Sequence, residues 1–200
     1  MKPIIGILLR PSISESNLKI KYLYDDISSA IYKSKGIPIG IDNKYIDEYL
    51  NICNGFIIPG GDDIIKDDLI AIKKIIDKDI PLLGICLGMQ EIATIYNGKI
   101  INIDKHKNNN MHEITIKNNS LLHKILGCEK TIVNSRHKSA VILPNLTISA
   151  LSFDNITEAI EDENKKFVLG VEWHPENMYD KDLNSRKVFD YFIKICNDNN

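Results

Sequence analysis

The chain lacks most of the features that would assign it at a glance. Its four cysteines, Cys53, Cys86, Cys128 and Cys196, form no C-x-x-C pair and adjoin no histidine group. That excludes a disulfide framework or a zinc-finger pattern and fits a reducing compartment. No apolar run approaches the roughly 20 residues of a membrane-spanning helix. The N-terminal run Ile4–Leu9 is also shorter than the roughly 7–15 residues of a secretory core. A cytoplasmic protein that binds no membrane is expected. Charge of one sign is missing too: 25 basic against 27 acidic residues leave only −2, so nothing marks a nucleic-acid partner. No G-x-x-x-x-G-K-[ST] phosphate loop occurs. What remains is a small-molecule partner for a chain whose 44% apolar content suffices for a folded core.

The first half alternates short apolar runs, Ile4–Leu9, Ile37–Ile41, Gly55–Pro59 and Pro81–Ile85, with amphipathic segments. In these, Leu23, Ile27, Ala30 and Ile31, then Leu69, Ile72, Ile75 and Ile76, recur at helical spacing. Strands joined by crossover helices build a largely parallel α/β sheet. Beyond Asn97 the runs Lys99–Ile103, His112–Ile116, Thr131–Val133, Leu146–Ala150, Glu158–Ile160 and Phe167–Val171 predict antiparallel or mixed strands. Val188, Phe189, Phe192 and Ile195 share one face of a closing helix over Leu183–Ile195. Lys105–Asn110 reads as a mobile loop and Asn197–Asn200 as a frayed end. With no repeat or linker in view, residues 1–200 are expected to form one domain.

Three segments carry chemistry. In Pro81–Gln90 an apolar strand runs through G-x-C-x-G into a helix, the form of a nucleophile elbow, where small residues permit a tight turn. Cys86 would then sit at a helix N-terminus, whose dipole and free N–H groups favour a thiolate. The plain alternative is a buried structural cysteine between packing glycines. Near the C-terminus another apolar strand ends in Trp173-His174-Pro175-Glu176. Pro175 keeps His174 extended, so Glu176, two residues on, projects to the same side and reaches the imidazole. A thiol nucleophile needs such a base with its orienting carboxylate, although a solvated turn would look the same. The third segment, Pro59-Gly60-Gly61-Asp62, ends a further strand. There Gly61 N–H, with Leu87 N–H, is placed to hold an oxyanion; the bland reading is an Asp-rich turn. In an open α/β sheet all three strand ends meet at the carboxyl edge.

These motifs resemble the class I glutamine amidotransferase superfamily over nearly the whole chain. Val133-Asn134-Ser135-Arg136-His137, with the downstream Ser152-Phe153-Asp154 and Glu158-Ala159-Ile160-Glu161, is most similar to the gamma-glutamyl hydrolase branch. The resemblance implies a flavodoxin-like three-layer sandwich, a Cys86–His174–Glu176 triad and a gamma-glutamyl thioester. It implies that Gly60, Gln90, Asn134, Ser135, Arg136 and His137 hold the glutamyl group, partly through backbone atoms. Two departures stand out: Leu87 where many of these hydrolases carry Arg, and Ser139 where they often carry Gln. The expected activity is hydrolysis of an N-substituted glutamine whose leaving group is a small amine, an oligoglutamate or a nucleotide amidate. Two alternatives stay open. One is a glutaminase that feeds ammonia to a separate synthase; the other is a catalytically silent binding protein on the same fold. No cofactor and no metal are expected, and the reading leaves room for a homodimer. His106, His112 and His123 lack partners at useful spacing and read as surface or strand residues.

Overall fold

The computed structural model describes residues 1–103, 106 and 110–198. In chain order these form β1 (Ile4–Leu8), β2 (Arg10–Ile13), β3 (Lys19–Tyr22), α1 (Asp25–Lys33), β4 (Ile37–Ile41), α2 (Ile46–Tyr49), β5 (Gly55–Ile58), α3 (Lys66–Asp77), β6 (Leu82–Ile85) and α4 (Leu87–Ile95). There follow β7 (Lys99–Asn102), β8 (Asn110–Ile116), α5 (Leu121–Leu126), β9 (Lys130–Ser135), β10 (Ser139–Ile142), β11 (Thr147–Ser152), β12 (Thr157–Glu161), β13 (Val168–Val171) and α6 (Leu183–Asp198).

Nine strands make one sheet in the order β4-β1-β5-β6-β13-β12-β11-β8-β9. Pairing is parallel from β4 to β13 and antiparallel from there to β9, the mostly parallel sheet with added antiparallel strands that the sequence predicts. The central strands β5, β6 and β13 are buried at every position. Such runs belong to strands covered on both faces. One face is packed by α1, α5 and α6 through Ile27, Ile31, Leu122, Val188, Phe189 and Phe192. The other is packed by α2, α3 and α4 through Ile46, Ile72, Ile75, Met89 and Ile92. Each such side chain contributes about 1.5–3 kcal/mol on burial, so a short helix such as α4 is held by its layer and not by propensity. Local chemistry sets the ends: Asp25 and Asp26 open α1 and Lys33 closes it, matching the helix dipole.

Two small ribbons pair β2 with β3 and β7 with β10; β7 is the strand predicted at Lys99–Ile103, whereas β2, β3 and β10 escape the sequence patterns. β2 has Arg10 buried but Pro11, Ser12 and Ile13 all exposed, so no period-two alternation exists to find. β9 runs two residues past its predicted end because Asn134 and Ser135 pair with Met111 and Asn110 of β8. Asn197, expected to fray, is part of α6. Of the predicted mobile loop, only His106 and Asn110 are among the described residues; Asn199 and Asn200 also lie outside them.

The topology decides what can meet. β1, β5, β6 and β13 are consecutive and parallel in the sheet, so Arg10, Pro59–Gly61, Cys86 and Glu172–His174 all emerge at one carboxyl edge. Ligands bind there in open α/β sheets.

Candidate active site

Cys86 joins β6 to α4 with φ 52° and ψ −110°. A side-chain-bearing residue seldom adopts this backbone, and it persists only where the surroundings enforce it. Here Cys86 N–H donates to the Val171 carbonyl at 2.8 Å, and the Cys86 carbonyl accepts from Gln90 N–H at 3.2 Å. Gly88 lets α4 lie directly on β5, since a Cβ there would collide with the Ile58 carbonyl. The elbow expected from G-x-C-x-G is present.

His174 follows β13 and is fixed through its backbone. Its N–H donates to Asn134 Oδ1 at 2.8 Å, and its carbonyl accepts from Asn134 Nδ2 at 2.9 Å. His174 Nδ1 lies 2.7 Å from Glu176 Oε1. The sequence predicts this contact but not its geometry. Glu176 reaches back from a 3-10 turn at Pro175–Met178 and not along an extended chain, because Pro175, with its fixed φ, opens that turn. The Cys86 and His174 side chains both flank Gly60: a Cβ at that position would stand 2.9 Å from His174 Cε1 and 3.6 Å from Cys86 Cβ.

The electrostatics correct one expectation. Burial pushes the Cys86 thiol well above its usual range, and the Glu172 and Glu176 carboxylates add to this, outweighing the Leu87 N–H that bonds the sulfur. Burial thus works against the thiolate that the helix N-terminus would favour. Beneath it Glu172 is fully buried, accepts from Gln90 Nε2 at 2.6 Å and is pushed up to about 8 by burial. Burial alone would lower His137, but Glu158 and Glu172 outweigh it and raise the imidazole to about 9.

Cys86 borders two cavities. One, of about 320 Å³, is lined by Tyr24, Asp26, Gly60, Asp62, His174 and Glu176. The other, of about 490 Å³, is lined by Leu87, Gln90, Asn102, Arg136, His137 and Ser139. Gly61, Asp62 and Arg136 touch both. A larger hollow of about 750 Å³ between the N-terminus and α6 is lined by residues such as Lys2, Lys33, Asp180 and Lys194 and by none of Cys86, His174 and Glu176. Of the residues expected to hold a glutamyl group, Gly60, Gln90, Arg136 and His137 line the two smaller cavities, whereas Asn134 and Ser135 do not. Asn134 is spent on the His174 backbone. Ser135 Oγ donates to the His106 carbonyl at 3.1 Å.

His106, His112 and Glu158 bring donor atoms within 4.8 Å of one another and are the group among the described residues that could hold a metal ion. Those donors have protein partners: His112 Nε2 and Glu158 Oε1 face each other at 3.1 Å, His106 Nδ1 lies 3.1 Å from Ser135 Oγ, and His106 Nε2 lies 3.3 Å from Asp154 Oδ1. We read a hydrogen-bond network tying β8, β9 and β12 together. It corrects the expectation that His106 and His112 lack partners; those partners come from other strands and leave no local spacing. Sequence reasoning also missed Glu172, Arg10, Asp68 and Glu91. The signal for the Arg10 cluster was an opposite pair of charges inside apolar elements, Arg10 just after the first strand and Glu91 within the helix behind Cys86.

A buried elbow cysteine beside an anchored imidazole, on the carboxyl edge of a three-layer α/β sandwich, puts this protein among the glutamine amidotransferase-like folds. The glutaminase domain of Trypanosoma brucei CTPS, solved with bound acivicin, superposes with a TM-score of 0.74 at 18% identity, covering 98% of this chain and 94% of that one. Residues 65–176, more than half of the chain, match the Peptidase C26 family, and the chain belongs to it. It is 26% identical to the gamma-glutamyl-gamma-aminobutyrate hydrolase PuuD of Escherichia coli K12, over 97% of this chain and 93% of that protein. It is 32% identical to one component of the glutamine-hydrolyzing GMP synthase of Methanococcus aeolicus, over 82% and 84% respectively.

Proposed function

We propose that this protein, as a single domain, hydrolyses the gamma-glutamyl amide bond of an N-substituted glutamine and releases glutamate. The observation that carries the reading is the strained Cys86 elbow, with the His174–Glu176 pair at 2.7 Å, where two cavities meet. His174 takes the Cys86 proton as sulfur attacks the amide carbonyl, which answers the raised thiol: the base acts at the moment of attack. Gly61 and Leu87 N–H groups hold the oxyanion. His174 then delivers the proton to the departing nitrogen, Glu176 keeping its tautomer, and water attacks the thioester with His174 as base.

The division of the cavities follows from the proton. The leaving nitrogen must face His174, so the amine departs through the cavity lined by Tyr24, Asp26 and Glu176, and the glutamyl half lies against Leu87, Gln90 and His137, with Asp62 and Arg136 at the boundary of the two. The relationship to PuuD supports a gamma-glutamyl amide as substrate class.

Glutamate release from a panel of gamma-glutamyl amides tests this directly. Cys86→Ala is expected to abolish it, His174→Ala to lower kcat by roughly 10³–10⁴-fold, and Glu176→Gln to cost less because that carboxylate orients and transfers no proton. Wild-type turnover by Cys86→Ala would end the proposal. The likeness to a component of a glutamine-hydrolyzing GMP synthase favours a second reading, a glutaminase that serves a synthase. It predicts low glutamine turnover by the isolated chain that rises sharply with a synthase added.

A further inference from the structure

We propose that Arg10 is a positioning residue for this hydrolysis, fixing the Pro59–Gly61 turn so that Gly61 N–H faces the reacting carbonyl oxygen; the inference rests on the reaction proposed above. Arg10 opens β2 directly after β1, yet is only 2% exposed. A guanidinium has five N–H donors. Each finds an acceptor here: Nε donates to the Gly60 carbonyl at 3.1 Å, and Nη1 to Asp68 Oδ2 at 2.6 Å and Glu91 Oε1 at 3.3 Å. Nη2 donates to Glu91 Oε2 at 2.9 Å and to the Pro59 carbonyl.

A cluster that served only to neutralise buried charge would need the carboxylates alone. Two of the five donors instead hold consecutive carbonyls of the turn beside Cys86. There are no cis peptide bonds among the described residues. In a trans peptide the C=O and the following N–H point in opposite directions. Binding the Gly60 carbonyl therefore turns Gly61 N–H away from Arg10, and binding the Pro59 carbonyl does the same to Gly60 N–H. Both glycines line the cavity that holds Cys86 and His174. Glu91 carries the tie into α4, whose first residue, Leu87, supplies the other donor. The packing has no slack: a Cβ on Gly61 would stand 2.8 Å from Leu87 Cδ2 and 3.2 Å from Arg10 Nε. One guanidinium thus joins both halves of the oxyanion site without touching substrate.

The test uses Arg10→Lys, which keeps one positive charge beside the two carboxylates but cannot fork to both carbonyls. Two rates at Cys86 are compared, turnover of gamma-glutamyl-4-nitroanilide and alkylation by iodoacetamide. Alkylation attacks a saturated carbon and forms no oxyanion. Expected is a kcat about 10²-fold lower, as for loss of an oxyanion donor, with KM within about threefold and alkylation within about twofold of wild type. A folded variant with wild-type kcat overturns the proposal, and so does a parallel fall in turnover and alkylation, which marks general disruption. If Arg10→Lys does not fold, Glu91→Gln, which keeps size and one acceptor oxygen, decides by the same two rates. A wild-type chain that alkylates but cleaves no gamma-glutamyl amide sinks the hydrolase reading instead, so the two failures are distinguishable.

Discussion

Asn134→Ala separates two roles for one residue. The V-N-S-R-H resemblance assigns Asn134 to substrate, whereas the structure spends its side chain on the two backbone groups of His174, at 2.8 and 2.9 Å. Asn134 is 6% exposed and His174 9%, so water does not readily replace the lost partner. Two orphaned backbone groups at about 1–3 kcal/mol each give a loss of about 2–6 kcal/mol. For a chain of this size that lowers Tm by roughly 4–24 °C. An imidazole displaced by around 1 Å costs about 10²-fold in rate, and since the glutamyl cavity is untouched the loss falls on kcat with KM little changed. Thermal melts and steady-state kinetics on a gamma-glutamyl amide measure both numbers. Ser135→Ala is the control: the same strand and depth, two hydrogen bonds to His106 lost, and kcat within about threefold. A raised KM with unchanged kcat in Asn134→Ala would show that the side chain binds substrate and that the clamp on His174 is idle.

Two further outcomes are expected. Gly60→Ala puts a methyl 2.9 Å from His174 Cε1 and should lower kcat about tenfold or more while the fold persists; Gly127→Ala, in open space at φ 71°, should cost only stability, about 1 kcal/mol, and equal kinetics in the two variants would refute the contact. Stability should fall as pH rises from about 6.5 to 9. Glu172 holds its proton to about 8 in the fold and His137 to about 9, while the unfolded chain releases them near 4.5 and 6.5, so in this window the native state binds more protons and alkali favours unfolding. Melting curves across that range check the sign, Glu172→Gln should flatten the lower part, and a Tm that climbs through the window contradicts it.

The alternation of apolar runs with helical spacing was enough to read the parallel half, because strands buried on both faces and helices with one apolar stripe leave those periods in the chain. β5 and β6 fall within a residue of their predicted ends. The elbow was legible for a similar reason. Backbone this tight tolerates only small neighbours, and Gly88 against the Ile58 carbonyl is that constraint written in residue type. The β2–β3 ribbon was not legible, since so exposed a two-stranded pair buries too little to impose a pattern.

Sequence by itself determined the sheet, its layers and the identity of Cys86, His174 and Glu176 as the residues to examine. Tertiary structure alone decided how they are held: Glu176 by a 3-10 turn, His174 by Asn134, the Pro59–Gly61 turn by Arg10. It also set burial against the expected thiolate. The reason is one of range. Periodicity and turn chemistry act between residues a few positions apart and so are recorded locally. Hydrogen bonds across 40 or 50 positions, and the desolvation that shifts a proton, depend on which strand ends become neighbours, and no local stretch of sequence records that.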